Sequence, residues 1–105
     1  MLNQTVLVGR LVKEVEVKEE GEKKVASVIL AIPRSFKNAD GEYDTDFITC
    51  ILWNAVAENT NEYCHKGDIL GVKGRLQKGE EDDNMQIIAE KVTFLSSKKN
   101  DKEDD

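Results

Sequence analysis

The chain has 105 residues, of which 39% are hydrophobic and 34% are charged, and its formal net charge is −6. This length suits a single domain with a modest core and a heavily charged surface. No apolar run approaches the roughly 20 residues that span a bilayer, and the start of the sequence lacks the basic segment and apolar core of a secretion signal. We therefore expect a cytoplasmic protein.

The first two strands are predicted from β-branched and apolar runs. Residues 5–17, TVLVGRLVKEVEV, predict the first strand, and Gly9 within it predicts a bulge or bend of the kind that curls a sheet into a barrel. Residues 25–33, VASVILAIP, are apolar on both faces and predict the second strand. The charged segment EEGEKK (19–24) predicts the hairpin connection between them.

The third predicted strand, residues 47–53 (FITCILW), runs directly into a helical segment. The segment before it, FKNADGEYD (36–44), contains Asp-Gly and predicts a second hairpin loop. Asn54 is a residue type that caps helices, and we expect the helix to run to about Lys66. Gly67 is expected to end it in the left-handed conformation.

Two closing strands are predicted at ILGVKGRLQ (69–77) and MQIIAEKVTFL (85–95), separated by the polar loop KGEEDDN (78–84). Three strands, one short helix between strands three and four, and two final strands predict an all-β protein. The expected architecture is a five-stranded Greek-key barrel of the oligonucleotide/oligosaccharide-binding type, the OB-fold. We assign residues 1–95 to this domain. Residues 96–105, SSKKNDKEDD, have no apolar anchor and predict a short disordered acidic tail.

The sequence holds no constellation that supports catalysis or a cofactor. His65 is the only histidine, so a catalytic triad is not expected. Cys50 and Cys64 lack the spacing of a zinc site and are predicted to be buried apolar residues without a disulfide. The four consecutive acids of residues 80–83 lack the alternating ligands of an EF-hand loop. We expect a protein that is not an enzyme and that needs no cofactor or metal.

Alternation along FITCILW separates two faces of the third strand. One face holds two large aromatic side chains, Phe47 and Trp53. The other face consists of Ile48, Cys50 and Leu52. If the second face lines the barrel, Phe47 and Trp53 project outward and, with Phe36, offer flat surfaces for nucleic-acid bases, each worth about 1–3 kcal/mol. If the first face lines the barrel, both aromatics are core residues, and periodicity alone leaves the two alternatives even.

The charges are distributed unevenly along the chain. Residues 1–95 hold 12 Lys and Arg against 17 Asp and Glu, a net charge of −5, which taken alone argues against phosphate binding. The acids cluster in residues 14–22, in residues 80–83 and in the tail. The basic residues lie in or beside the first four strands: Arg10, Lys13, Arg34, Lys37, Lys73, Arg75 and Lys78. One face can therefore be locally positive, although ordinary solvated charges are the alternative.

Six segments follow one another in a specific order and spacing: LNQTVLVGRL, LAIPRSF, DFITCILWNAVAEN, EYCHKGD, LGVKGRLQ and AEKVTFL. Together they resemble the bacterial single-stranded DNA-binding protein family over residues 2–95. The resemblance implies an OB-fold that coats single-stranded DNA without sequence preference during replication, recombination and repair. It also implies a homo-oligomer, usually a homotetramer whose contacts include the first strand and an outer sheet face, in the cytoplasm and associated with the nucleoid.

The same resemblance implies which residues bind DNA. The family's stacking aromatics fall on Phe36, Phe47 and Trp53. The family's basic residues that contact phosphate fall on Arg10, Lys18, Arg34, Lys73 and Arg75. These eight residues form the predicted DNA-binding site.

Two parts of the chain depart from the family pattern. The last hairpin, KGEEDDN (78–84), is short and acidic where the family has a long basic hairpin with another stacking aromatic. The tail ends in KEDD without the hydrophobic tip through which family members recruit other replication proteins, so this recruitment is not expected here. These departures favour an alternative hypothesis, an oligomeric OB-fold module that acts mainly in protein–protein assembly and binds DNA weakly.

Overall fold

The computed structural model describes residues 1–80 and 83–97 of the chain. Most of the predicted tail over 96–105, and two acids of the predicted 78–84 loop, therefore lie outside the described residues. The elements in chain order are β1 (Thr5–Leu11), β2 (Val17–Glu20), β3 (Lys23–Lys37), β4 (Tyr43–Trp53), α1 (Asn54–Tyr63), β5 (Ile69–Lys78) and β6 (Met85–Ser96).

The strands close into a barrel because β1 pairs with two neighbours. It pairs antiparallel with β5 over residues 5–10 and with β3 at Arg10 and Leu11. The full sheet order is β1-β5-β6-β4-β3-β2, and β4 pairs with β6 in parallel at Cys50 and Ile51. Because β2 continues the first barrel strand, five strands and one short helix form the molecule. The predicted all-β OB-fold is confirmed.

The first barrel strand is interrupted, so the continuous strand predicted over residues 5–17 is wrong. β1 ends at Leu11 and strand structure resumes at Val17. The turn before β5 takes up the hydrogen-bonding groups of Leu11: its N–H donates to the carbonyl of Asp68 at 2.8 Å, and its carbonyl accepts from the N–H of Gly67 at 2.7 Å. These two bonds hold the chain where β1 ends.

Two glycines lie where strands approach each other too closely for a side chain. A Cβ on Gly74 would overlap the carbonyl oxygen of Ile88 on β6, and the β5–β6 register shifts between Lys73 and Gly74. A Cβ on Gly9 would lie 2.7 Å from the side chain of Ile32. The close approach at Gly74 accompanies a register shift, whereas β1 pairs with β5 through Gly9 without one, so no bulge occurs at Gly9, where the sequence predicts a bulge or bend.

The core fills the barrel with one face of every barrel strand. Its largest fully buried side chains are Leu11, Leu30, Leu52, Leu70, Val28, Val72 and Cys50. The alternation of β4 follows the first alternative: Cys50 and Leu52 are fully buried, Ile48 packs against them, and Phe47 is 65% exposed. The inward face of β4 thus builds the core, and its outward face is available for another role.

The helix α1 packs one face against the core, with Ala57, Thr60 and the following Cys64 buried. It ends at Tyr63, earlier than predicted. The reason is that Cys64 already takes an extended conformation (φ −119°, ψ 142°) while its N–H still bonds to the carbonyl of Thr60 at 2.9 Å. Gly67 has the expected positive φ of 96°, but in the turn after the helix.

Both cysteines are buried, as predicted, and both are free thiols. Burial raises the pKa of Cys50 to about 11, and it also raises the pKa of Cys64. A thiol with a raised pKa stays protonated at neutral pH and is a poor nucleophile. The two side chains therefore act as small apolar core groups.

Candidate nucleic-acid interface

The outward faces of β3 and β4 form one continuous surface, which we call the outer wall. Its β4 residues are Phe47, Thr49, Ile51 and Trp53, and its β3 residues are their partners Ala31, Ile29, Ser27 and Val25. Directly paired residues of antiparallel strands project to the same side, so these eight side chains share one face. All eight are exposed or partly exposed. Phe47 and Trp53 therefore lie on the outside of the barrel.

Phe47 lies in one row with Arg10 across three strands. Phe47 pairs with Ala31, and Ala31 pairs with Arg10, so one small side chain separates the ring from the guanidinium group. At about 4.8 Å per strand spacing, the backbones of Arg10 and Phe47 lie about 10 Å apart. Arg10 Nη1 donates to the carbonyl of Gly67 at 2.6 Å. No carboxylate in residues 1–80 or 83–97 forms an ion pair with Arg10.

Trp53 lies at the opposite end of the outer wall, in a row with Lys18. Val25 on β3 pairs with Trp53 on one side and with Lys18 of β2 on the other. The six residue steps from Phe47 to Trp53 correspond to about 20 Å at 3.3 Å per residue. Each end of the outer wall thus combines an aromatic ring with a basic residue two strands away.

Asn54 turns the chain from β4 into α1 immediately after Trp53. Its φ is 52°, in the left-handed region that Asn tolerates better than most residues. The predicted capping role of Asn54 is wrong, because its Oδ1 accepts a hydrogen bond from the N–H of Lys24 on β3 at 3.0 Å and α1 has no side-chain cap. This bond ties the end of β4 to β3 beside Trp53.

The β3–β4 hairpin, residues 33–46, projects beyond the barrel. Its strand pairs join only β3 and β4, and residues 33–37 and 39–45 are exposed. Phe36 is exposed here, and the register of the two strands shifts between Pro33 and Lys37. Phe36 is therefore separate from the regular rows that hold Phe47 and Trp53, although it lies on the adjoining hairpin.

Tyr43 is an exposed aromatic residue that the sequence analysis did not select. It begins β4 four residues before Phe47, and alternation places the two on the same face. Lys37 Nζ lies 5.9 Å from the centroid of the Tyr43 ring, a distance typical of cation–π contacts. Extending the alternation backwards from Phe47 through Thr45 would have identified it.

Arg34 lies in the hairpin and is held by two acids. Its Nε and Nη2 donate to Asp46 Oδ2 and Oδ1 at 3.0 and 2.9 Å, and its Nη1 lies 3.9 Å from Asp44 Oδ2. The hydrogen bond from Arg34 lowers the pKa of Asp46, and the same bond raises the pKa of Arg34. Asp46 directly precedes Phe47 and so projects to the opposite face. Arg34 is therefore charged and paired, and it lies apart from the Phe47 row.

The basic residues of β5 lie on the part of the barrel formed by β1, β5 and β6. Lys73 pairs with Lys91 of β6 and is exposed. Arg75 Nη1 lies 3.2 Å from Glu90 Oε2. The predicted cations thus occupy three places: Arg10 and Lys18 beside the outer wall, Arg34 on the hairpin, and Lys73 and Arg75 on β5.

The described residues contain no group of three or more His, Cys, Asp or Glu side chains that could hold a metal ion. No helix among them is long and apolar enough to cross a membrane. The chemistry available on this surface is therefore that of rings, guanidinium and ammonium groups, which can stack on bases and bind phosphate.

The chain is similar to known proteins along nearly its whole length. The model of the "Single-strand binding protein family" matches residues 2–95. "Single-stranded DNA-binding protein B" of Bacillus subtilis is 43% identical over 110 aligned positions, which cover 97% of each chain. "Single-stranded DNA-binding protein 1" of Staphylococcus aureus is 40% identical over 96% of this chain and 70% of that one. The SSB domain of a Synechococcus protein, at 17% identity, superposes with a TM-score of 0.74 over 90% of this chain and 97% of that one.

Proposed function

Because the chain belongs to the single-strand binding protein family, we propose that it binds and protects single-stranded DNA without sequence preference in replication, recombination and repair. The row of Phe47, Ala31 and Arg10 is the observation that carries this proposal. Every base has a flat face that can stack on Phe47, and the guanidinium group of Arg10 can bind a phosphate of the same strand. Membership of a binding family agrees with the expectation that the protein is not an enzyme.

We propose that the predicted site residues share this work. Stacking is assigned to Phe36, Phe47 and Trp53, and phosphate binding to Arg10, Lys18, Arg34, Lys73 and Arg75. The strand follows the outer wall between Trp53 and Phe47 and continues onto the hairpin, where Tyr43 adds a further ring. The net charge of −6 does not oppose this path, because local arrangement governs the field at a groove.

We propose that the connection between β5 and β6 contributes little to DNA binding. It spans residues 79–84, and Lys78 beside it is paired with Asp83 at 3.1 Å. A short acidic connection repels phosphate, so the footprint on DNA should be smaller than with a long basic hairpin. We propose residues 1–95 as the binding unit, residues 96–105 as a short acidic tail, and the nucleoid in the cytoplasm as the place of action.

The proposed function is tested by titrating the protein with oligo-dT while the fluorescence of Trp53, the only tryptophan, is followed. Stacking should quench the emission. The logarithm of the binding constant should fall linearly with the logarithm of the salt concentration, by about 0.7 for each phosphate bound. Unchanged emission at low salt, together with no shift of the oligonucleotide in a native gel, would contradict the proposal.

The alternative of an assembly module that binds DNA weakly is not favoured. Two relatives that match almost the whole chain are named for single-stranded DNA binding. The structure also leaves the outer wall uncovered, with Phe47 exposed. Strong binding of oligo-dT in the titration would exclude the alternative directly.

We propose that the homo-oligomer, a tetramer, forms through the outward face of β1. Val6 and Val8 project from this face and are 68% and 52% exposed. Residues 5–9 pair with β5 alone, so their other edge has no partner strand among the described residues. Exposed apolar side chains beside an open strand edge favour pairing with a second copy of the chain.

Replacing Val6 and Val8 together with aspartate should dissociate the oligomer, because burial of charged side chains in an apolar interface is costly. Light scattering after size exclusion should then report a lower mass than for the wild type. Met85→Asp is the matched control, since Met85 is 57% exposed at the start of β6 and should leave the mass unchanged. A wild-type mass of 11.8 kDa, that of one chain, would contradict the proposed oligomer.

A further inference from the structure

The Arg34 guanidinium group is already occupied by an anion of the protein itself. Two of its nitrogens donate to the two oxygens of Asp46, and a third faces Asp44. Arg75 has a single contact of this kind, to Glu90. Arg10, Lys18 and Lys73 have no such partner within residues 1–80 and 83–97. Among the predicted phosphate-binding residues, Arg34 thus makes the most contacts with carboxylate oxygens.

The pair between Arg34 and Asp46 can open when a competing anion arrives. The two side chains are 45% and 43% exposed, and exposed ion pairs are weak and screened by salt. Phosphate offers the guanidinium fork the same two-oxygen geometry as a carboxylate. A DNA phosphate can therefore replace Asp46 as the partner of Arg34.

The hairpin around this pair carries more acids than bases. Within residues 33–46 the basic residues are Arg34 and Lys37, and the acids are Asp40, Glu42, Asp44 and Asp46. Asp46 directly precedes Phe47 in β4 but projects to the opposite face, so a strand stacked on that ring reaches the pair where it continues around the edge of the hairpin. Its phosphates meet a locally negative hairpin unless Arg34 is released.

We propose that Asp46, supported by Asp44, competes with DNA phosphate for Arg34 and thereby sets the affinity of the β3–β4 hairpin for the single strand. This inference rests on the proposed function and deepens it. In the free protein Asp46 holds Arg34, and in the complex a phosphate takes the place of Asp46. The carboxylate makes DNA binding weaker and less dependent on salt than the number of basic residues implies.

The test compares Asp46→Asn with Asp40→Asn in the oligo-dT titration. Both substitutions remove one negative charge from the same hairpin, but Asp40 has no ion pair with Arg34. Asp46→Asn should bind about threefold more tightly than Asp40→Asn at low salt, and this difference should shrink as added salt screens the competing ion pair, which makes the salt dependence of Asp46→Asn the steeper of the two. Equal affinities and equal slopes for the two variants would overturn the inference.

Arg34→Gln in both backgrounds isolates the role of the pair. It should weaken binding clearly in the Asp46→Asn background and only slightly in the wild type, and equal losses in both would overturn the inference. Arg34→Lys provides a variant that leaves Asp46 in place. It keeps the charge but cannot form the two-bonded fork, so it should bind at least as tightly as the wild type, and a loss as large as that of Arg34→Gln would contradict competition.

The two proposals fail in different ways. If neither the wild type nor any variant binds oligo-dT, the proposed function fails and this inference fails with it. If the wild type binds and Asp46→Asn behaves like Asp40→Asn, only the inference fails. Thermal unfolding of each variant shows whether a changed affinity reflects a changed fold.

Discussion

Phe47→Ala should weaken the binding of oligo-dT by about 5- to 150-fold, because a base stacked on an aromatic side chain contributes roughly 1–3 kcal/mol. The side chain is 65% exposed, so its removal takes little from the core and the free energy of unfolding should change little. Trp53 remains in this variant and still reports binding through its fluorescence. The loss should be similar for oligonucleotides of different sequence, since stacking does not distinguish bases strongly.

Tyr63→Ala is the matched control for this loss. Tyr63 is also 65% exposed, but it lies at the end of α1, outside the outer wall. Its removal should leave the affinity for oligo-dT within about twofold of the wild type. Similar losses for the two variants, or no loss for Phe47→Ala, would show that the outer wall does not stack bases.

Gly74→Ala should lower the free energy of unfolding by about 3 kcal/mol, the upper end of the usual cost of overpacking. The added Cβ would overlap the carbonyl oxygen of Ile88, a backbone atom that cannot move without disturbing the β5–β6 ladder. Urea unfolding followed by far-ultraviolet circular dichroism measures the change. Wild type and variant are compared at one protein concentration, because oligomer formation adds to the apparent stability.

Gly71→Ala is the control within the same strand. A Cβ at this position would lie 3.5 Å from the side chain of Leu95, an ordinary contact distance. The free energy of unfolding should therefore change by less than about 1 kcal/mol. Equal destabilisation by both substitutions would mean that glycine is needed in β5 for a reason other than the close approach to Ile88.

The barrel was open to prediction because its elements depend on local patterns, whereas the alternation of β4 left the outward and the buried positions of Phe47 and Trp53 as even alternatives. FITCILW alternates so that one of its two faces must be buried, and the structure buries Cys50 and Leu52. The order of strands and helix then predicts the OB-fold. The resemblance to a known family adds the residues of the DNA-binding site, whose roles remain predictions.

The features that the sequence analysis missed depend on contacts between distant segments. KEVEV alternates as a strand would, yet β1 ends at Leu11, whose N–H and carbonyl bond to the backbone of the distant turn at Asp68 and Gly67. Asn54 has the identity of a helix cap, but the N–H of Lys24, 30 residues away, takes its side-chain oxygen. No local pattern contains these partners.

The pairing of Arg34 escaped prediction for a related reason. In the sequence, Arg34 and Arg10 both follow apolar runs, so the charge pattern alone predicts that both are equally available to bind phosphate. Which acid lies beside Arg34 depends on the β3–β4 pairing, which places Asp46 opposite Ile32 before the register shifts. A charge pattern therefore identifies candidate cations but not the ones that a carboxylate already holds.

The turn at Gly67, after the helix α1, contacts residues of β1 that lie far away in the sequence. Gly67 has a φ of 96°, which glycine adopts without strain. Its N–H donates to the carbonyl of Leu11 at the end of β1, and its carbonyl accepts from the Arg10 side chain. The backbone of Gly67 thus holds the guanidinium group of Arg10, 57 positions upstream, which we propose as a phosphate-binding group. Substitutions in this turn should therefore change the affinity for DNA through the position of the Arg10 side chain.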